Sequence, residues 1–268
     1  MSKPIFQQIY LEITNCCNLH CPFCPLEERS KKVMSLEQFR IITKKIKPYT
    51  DSIYLHVKGE PLLHPEFKEI IKICEEANVK VKITTNGTLL SKYQEVLLNS
   101  PIIKRINISL QSASYLSPIE QKNYFDQLAL FIKENTHKHI YLRMWALDDK
   151  KRTSTMQLLE ACGIEDSKYL HYSYEEQFTW PSLDEAITPP TKCLGGKNQL
   201  GVLVDGTVTL CCLDQNGLTN LGNLLTGEME DILASEKYML AVEKMPYLEI
   251  CKHCSYRLRF KKGGMKSS

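Results

Sequence analysis

The chain has 268 residues, 43% hydrophobic and 24% charged, enough apolar mass for one substantial core plus a smaller attachment. Its 34 Lys and Arg against 31 Asp and Glu leave a formal charge of +3, too small a surplus to indicate a nucleic-acid partner. No run of about 18 apolar residues exists to span a membrane. The eleven cysteines sit at metal-like spacings with no apolar export segment ahead of them, which points to metal in a reducing, cytoplasmic setting rather than to disulfides.

The first element in chain order is the apolar run IYLEIT, read as a strand. Directly behind it lies CNLHCPFC, in which Cys17, Cys21 and Cys24 form a CxxxCxxC triplet. Iron-sulfur clusters normally take four thiolates, so three close ones suit a cluster with one iron left open for chemistry. A zinc site prefers four closed ligands, commonly in CxxC pairs, and a lone triplet is an odd half of one.

From there to about residue 165, strand runs and helical stripes alternate. The strand candidates are QIYLEITN, SIYLHVKGE, KVKITTNG, KRINISLQ and HIYLRMWAL, with YLHYSY a weaker sixth. Between them Phe67, Ile70, Ile71 and Cys74, and later Phe125, Leu128, Ala129 and Ile132, recur at the spacing of one buried helix face. Cys74 is therefore a core residue. The repeated βα order predicts a parallel sheet, and right-handed crossovers curl six such units toward a barrel that falls short of the eight needed to close.

Side-chain parity divides each strand into two faces. Leu11 and Ile13 oppose Tyr10, Glu12 and Thr14; Ile53, Leu55 and Val57 oppose Tyr54, His56 and Lys58. Val81 and Ile83 oppose Lys82, Thr84 and Asn86, and Ile106, Ile108 and Leu110 oppose Asn107, Ser109 and Gln111. If the apolar face packs under helices, the lumen carries Glu12, His56, Lys58, Asn86, Ser109, Gln111 and Arg143. Packed barrels are filled with branched apolar residues, so this lumen is expected to be a wet or liganded cavity.

The triplet, followed by the KGEP segment at residues 58–61, resembles the signature of the radical S-adenosylmethionine (SAM) enzymes. The resemblance implies a partial (β/α)6 barrel over residues 1–185. It further implies a [4Fe-4S] cluster on Cys17, Cys21 and Cys24, with SAM chelating the fourth iron and being cleaved reductively to a 5′-deoxyadenosyl radical. Lys58 replaces the first glycine of the family's GGEP, while Gly59 and Glu60 match the positions that receive the SAM amino group. Ser109 resembles a ribose contact and Arg143 a partner for the SAM carboxylate; Asn86 and Gln111 fall in the same pocket. His56 and Lys58, two residues apart on one strand face, are the candidates for proton transfer or substrate binding.

After about residue 185, PSLDEAITPP marks a boundary, and Cys193, Cys211, Cys251 and Cys254 follow. Two β runs joined by Asp205-Gly206 predict a hairpin, and CKHC closes a helical stretch. Residues 186–268 resemble the twitch domain, the shortened SPASM extension, which implies one auxiliary [4Fe-4S] cluster; a structural zinc ribbon is the alternative. A GxxxxC match and the downstream LGNL favour Cys211 over Cys212, while Cys16 and Cys162 have no assigned role.

A closed second cluster implies an electron acceptor, and hence net oxidation of substrate. The 17 residues between Cys193 and Cys211 are similar to the arrangement of a radical SAM dehydrogenase that oxidises an aminocyclitol alcohol. A small-molecule oxidoreductase is therefore expected, served by a flavodoxin- or ferredoxin-like electron donor. A maturase acting on a ribosomal precursor peptide is the alternative, and a non-enzymatic zinc or iron-sulfur module a distant one.

Overall fold

The computed structural model describes residues 5–25, 28–145, 147–164, 166–175, 178, 180–183, 186–189 and 192–261. The first four residues, the end of the basic tail from 262 onward, and Asp184 and Glu185 at the expected boundary lie outside that set. Strands β1 (Gln8–Leu11), β2 (Ser52–Tyr54), β3 (Lys80–Thr85), β4 (Ile103–Ser109), β5 (Ile140–Trp145) and β6 (Leu170–Glu175) pair in parallel, in sequence order. Helices α1 (Leu36–Ile46), α2 (Phe67–Glu76), α3 (Leu90–Asn99), α4 (Pro118–Lys133) and α5 (Asp149–Ala161) alternate with them, giving a partial barrel.

Local chemistry starts these helices where they begin. Ser35 and Gln38 form a reciprocal capping box on α1, and Ser117 and Glu120 another on α4, where Pro118 occupies the first turn. Helix α2 buries Phe67, Ile70, Ile71, Ile73 and Cys74, as its stripe predicts. The buried face of α4 is rotated from the predicted one. It consists of Tyr124, Phe125, Leu128 and Phe131, because Ala129 and Ile132 reach the core only partly.

Ile9, Leu11, Ile53, Val81, Ile83, Ile106, Ile108, Ile140 and Leu142 are all shut off from solvent under these helices. Each such side chain contributes about 1.5–3 kcal/mol on burial, so the apolar parity face fixes the sheet's orientation. A one-residue slip would turn the whole set into the lumen.

The hairpin at Asp205-Gly206 forms as expected between β7 (Gln199–Val202) and β8 (Thr207–Thr209), with Gly206 at φ +85°. What parity does not reveal is its docking. β7 pairs in parallel with β1 over four residues, and β8 carries β9 (Gly222–Asn223) beyond it, so one nine-stranded sheet runs from β6 to β9. Helices α6 (Met229–Ala234), α7 (Glu236–Lys244) and α8 (Glu249–Lys252) complete this small C-terminal region.

Candidate active site

The CxxxCxxC triplet occupies the loop between β1 and α1. Cys24 N–H donates to the Cys21 carbonyl (2.9 Å), folding the two cysteines into one turn. Donors are aimed at the sulfurs: Leu19 N–H at Cys17 Sγ (3.4 Å), Asn86 Nδ2 at Cys17 Sγ (3.9 Å) and the Ser112 hydroxyl at Cys21. Burial nevertheless pushes the Cys21 thiol up to about 11, and the Cys17 thiol also upward. Such thiols ionise when a metal takes the place of the proton. Cys16 points elsewhere, toward the Lys32 carbonyl at 3.8 Å.

Gly59 sits at φ +78°, and a Cβ there would lie 2.4 Å from the Thr14 carbonyl oxygen. Only glycine fits this close approach, so the KGEP segment and the cysteine loop touch backbone to backbone. Glu60 N–H donates to the Cys16 carbonyl (2.8 Å) and strengthens that seam. A three-cysteine loop with donors on its sulfurs, braced backbone to backbone by the KGEP segment, fits a cluster with an open iron.

The structure separates the remaining candidates into two groups. The Glu60 carboxylate accepts from Leu62 N–H (3.0 Å), Thr85 Oγ1 (2.8 Å) and Asn86 N–H (2.7 Å); burial pushes it up to about 7 against those donors. Asn86 bonds Asn18 Oδ1 (2.9 Å) and accepts from Thr88, thereby bracing the loop. Gln111 lies beyond the last residue of β4 in a 3-10 turn, where parity no longer applies. It is buried, its amide donating to the Arg143 carbonyl at 2.7 Å. The Lys58 ammonium donates to the Pro25 carbonyl just after Cys24, so it ties down the cluster loop. Ser109 and Arg143 stand side by side in register on β4 and β5.

Glu12 corrects the expectation of a uniformly wet lumen. Its fully buried carboxylate takes both Arg29 nitrogens at 2.7 and 2.8 Å, Lys58 N–H at 3.1 Å and Val204 N–H at 3.0 Å. One side chain thus joins β1, the cluster loop, the KGEP segment and the β7–β8 turn.

Below this lock opens a cavity of about 550 Å³. Its walls are the polar parity face: Tyr10 and Tyr54, registered and stacked at 4.7 Å, then His56, Lys82, Arg105 and Arg143. Arg105 was not among the predicted lumen residues, although the same alternation extended back from Asn107 by two positions identifies it. His56 meets both tyrosine rings edge-on, and its Nδ1 is buried without a hydrogen-bond partner. Burial, then the Arg143 charge, lowers its pKa to about 3, leaving a neutral imidazole.

Cys193, Cys211, Cys251 and Cys254 line the same cavity. They come from the turn before β7, the end of the hairpin and the α8 turn, where Cys254 N–H donates to the Cys251 carbonyl (3.2 Å). Burial, followed by the neighbouring cysteines, raises Cys211 strongly and Cys251 to about 12, with Arg257 opposing the latter. Arg257 is itself buried and donates to Thr188, Pro246 and Lys252, which clamps the CKHC turn. Cys212 bonds the Tyr10 hydroxyl instead of lining the cavity. Four sulfurs around one space fit a closed cluster, and all eleven cysteines are free thiols.

The model of the radical SAM superfamily matches residues 11–148, half of the chain, and that of the SPASM iron-sulfur cluster-binding domain matches residues 193–255. A probable GTP 3′,8-cyclase of Methanococcus maripaludis is 34% identical over 117 residues, 42% of this chain and 38% of that protein. A GTP 3′,8-cyclase of Alkaliphilus oremlandii is 36% identical over 110 residues, 38% of this chain and 34% of its own. The chain therefore spans little more than a third of these relatives' length. Among solved structures, BtrN in complex with AdoMet and 2-DOIA superposes with a TM-score of 0.68 at 19% identity, over 95% of this chain and 94% of BtrN. Streptococcus suis SuiB bound to precursor peptide SuiA gives 0.67 at 15% identity, over 97% of this chain and 74% of SuiB. The two matched domains imply a SAM-binding [4Fe-4S] cluster, an auxiliary iron-sulfur cluster and SAM itself as cofactors. This chain belongs to the radical SAM superfamily and carries a SPASM-type cluster-binding domain behind its barrel.

Proposed function

We propose that the protein is a radical SAM oxidoreductase that oxidises a small molecule held in the barrel lumen. The observation that carries this reading is the shared cavity: His56 and Arg143 line the same space as Cys193, Cys211, Cys251 and Cys254. When bound, the first cluster with SAM supplies a 5′-deoxyadenosyl radical, and the auxiliary cluster supplies an electron acceptor.

In this reading Cys17, Cys21 and Cys24 hold the first cluster, and residues 1–185 and 186–268 are its barrel and twitch-type domains. Gly59 admits SAM to the backbone; Ser109 and Arg143 present a hydroxyl and a guanidinium to it. Glu60, Asn86 and Gln111 shape that pocket through the bonds described above rather than by touching the cofactor. Lys58 positions the loop, and neutral His56, whose buried Nδ1 has no hydrogen-bond partner, offers a hydrogen bond to substrate. A flavodoxin- or ferredoxin-like protein supplies the electron that starts the cycle.

Oxygen-free reconstitution followed by reduction with SAM tests the proposal. Formation of 5′-deoxyadenosine, abolished in Cys17→Ala, is expected; its absence from the reconstituted parent chain would end the reading. The peptide-maturase alternative draws on an aromatic file beside the cavity, in which Trp145 stacks on Phe178 at 4.9 Å and Phe178 meets Tyr256 edge-on. Such rings also suit a peptide side chain.

A further inference from the structure

A file of hydrogen bonds runs from the barrel wall toward the second cysteine set. The Lys82 ammonium donates to Gln8 Oε1 (3.1 Å), the Gln8 amide donates to the Tyr10 hydroxyl (3.2 Å), and that hydroxyl bonds the Cys212 sulfur. A phenol that accepts from Gln8 has its one O–H left for Cys212. Every link therefore donates in the same direction, beginning at a cation, and bonds arranged in this way polarise one another. Tyr54 stacks on Tyr10 at 4.7 Å and fixes the ring that carries the central link.

The hairpin sets the far end of the file. Tyr10 on β1 is the register partner of Gly201 on β7, and Gly201 is that of Thr209 on β8. A Cβ on Gly201 would collide with the Thr209 hydroxyl and lie 3.0 Å from the Cys211 carbonyl oxygen. With no side chain there, Thr209 Oγ1 donates to that carbonyl (3.1 Å), and Asp214 N–H donates to it as well (3.2 Å). The peptide after Cys211 is thus held; Cys211 faces the cavity and Cys212 turns to Tyr10. Cys212 is still near enough to Cys193 and Cys254 to feel their charge. Its sulfur accepts from Tyr10, and its S–H is left to donate.

We propose that Lys82, Gln8, Tyr10 and Cys212 form a relay that raises the reduction potential of the auxiliary cluster, with Cys212 as the donor beside the centre and Tyr10 as a positioning residue behind it. The inference rests on the reading that Cys193, Cys211, Cys251 and Cys254 hold an iron-sulfur cluster. Reduction adds negative charge to such a centre, and hydrogen bonds to its sulfurs stabilise that charge, which is one of the ways proteins set cluster potentials. A raised potential suits a centre that takes an electron from substrate. Tyr10 also lines the substrate space, so one side chain touches both the lumen and the relay.

Redox titration of the reconstituted full chain tests this, followed by electron paramagnetic resonance with SAM added to mark the first cluster. Cys212→Ala is expected to keep its iron and to lower the ratio of reduced to oxidised auxiliary cluster about tenfold at a given potential, a fall of about 60 mV in the midpoint. Tyr10→Phe, which keeps the stacked ring, lowers it by less, and adding Tyr10→Phe to Cys212→Ala changes nothing further because Tyr10 acts through Cys212. Cys212→Ser, whose hydroxyl still accepts and donates, returns the midpoint toward that of the parent. An unmoved midpoint in Cys212→Ala, a further fall in the double variant, or loss of auxiliary iron from Cys212→Ala would each overturn the relay. Metal analysis of the parent chain reads the cluster separately: zinc at the second set ends the cluster reading and the relay with it, whereas iron with an unmoved midpoint ends the relay alone.

Discussion

The two cysteine sets solve opposite problems with the same side chain. The first is contiguous, three residues within one loop, half-buried or exposed, with backbone and side-chain donors brought to its sulfurs. The second is gathered by folding from segments that span 61 positions, from Cys193 to Cys254, with burial raising the Cys211 thiol strongly. A local triplet keeps one vertex reachable, whereas a set assembled by folding encloses what it holds. In the proposed function, reactivity belongs with the loop and redox storage with the folded set.

The sharpest way to break this contrast is to exchange the neighbouring thiols of the second set. Cys211→Ala should lose about four irons per chain and the oxidised product, whereas Cys212→Ala should keep its iron, because Cys212 is engaged with Tyr10. Iron analysis and the electron paramagnetic resonance of the reduced protein decide between them; iron loss from Cys212→Ala alone would reverse the assignment.

Glu12→Gln probes the seam between the two sets. It replaces the carboxylate facing the Arg29 guanidinium with a neutral amide, leaving Val204 N–H and Lys58 N–H to compete for one oxygen. The expected loss is about 3–5 kcal/mol of stability in urea unfolding. A change under 1 kcal/mol (~0.5 is typical of exposed pairs) would show that the lock is dispensable.

Gly59→Ala tests the loop cradle. Its positive φ and the 2.4 Å approach to Thr14 predict about 1–3 kcal/mol of destabilisation together with weakened SAM binding, read by thermal unfolding and by dialysis. Unaltered SAM affinity would remove the cradle from the cofactor site.

The smallest expected effect concerns His56. Its folded pKa of about 3 lies below the ordinary 6.5, so the stability contributed by its neutral state is fully present above 6.5 and is lost as the pH falls from there toward 3. His56→Phe should flatten this part of the pH–stability curve, measured as the urea midpoint at pH 7 and pH 4.5. A curve parallel to that of the parent would place His56 in solvent.

Much of the barrel was legible because alternation is a local property: Tyr54, His56, Lys82 and Asn107 reach the lumen as their parity demands. Alternation is silent about what stands across a cavity. Nothing near Glu12 in the chain announces Val204, 192 positions later, and so a predicted lumen acid proved to be a crosslink. Gln111 shows the other limit. The strand stops at Ser109, and a side chain counted one period too far turns into the wall. The α4 face shifted for a similar reason, since large Tyr124 and Phe131 outcompeted Ala129 for the core.

The pairing of β1 with β7 has a consequence for biosynthesis. As the polypeptide leaves the ribosome, the strand made first must wait with one edge bare until nearly two hundred further residues have emerged. An uncovered edge is a template for association with other nascent chains. Truncation after residue 185 should accordingly yield insoluble material rather than a smaller enzyme, and the emergence of β7 is the moment at which the barrel acquires its protected flank.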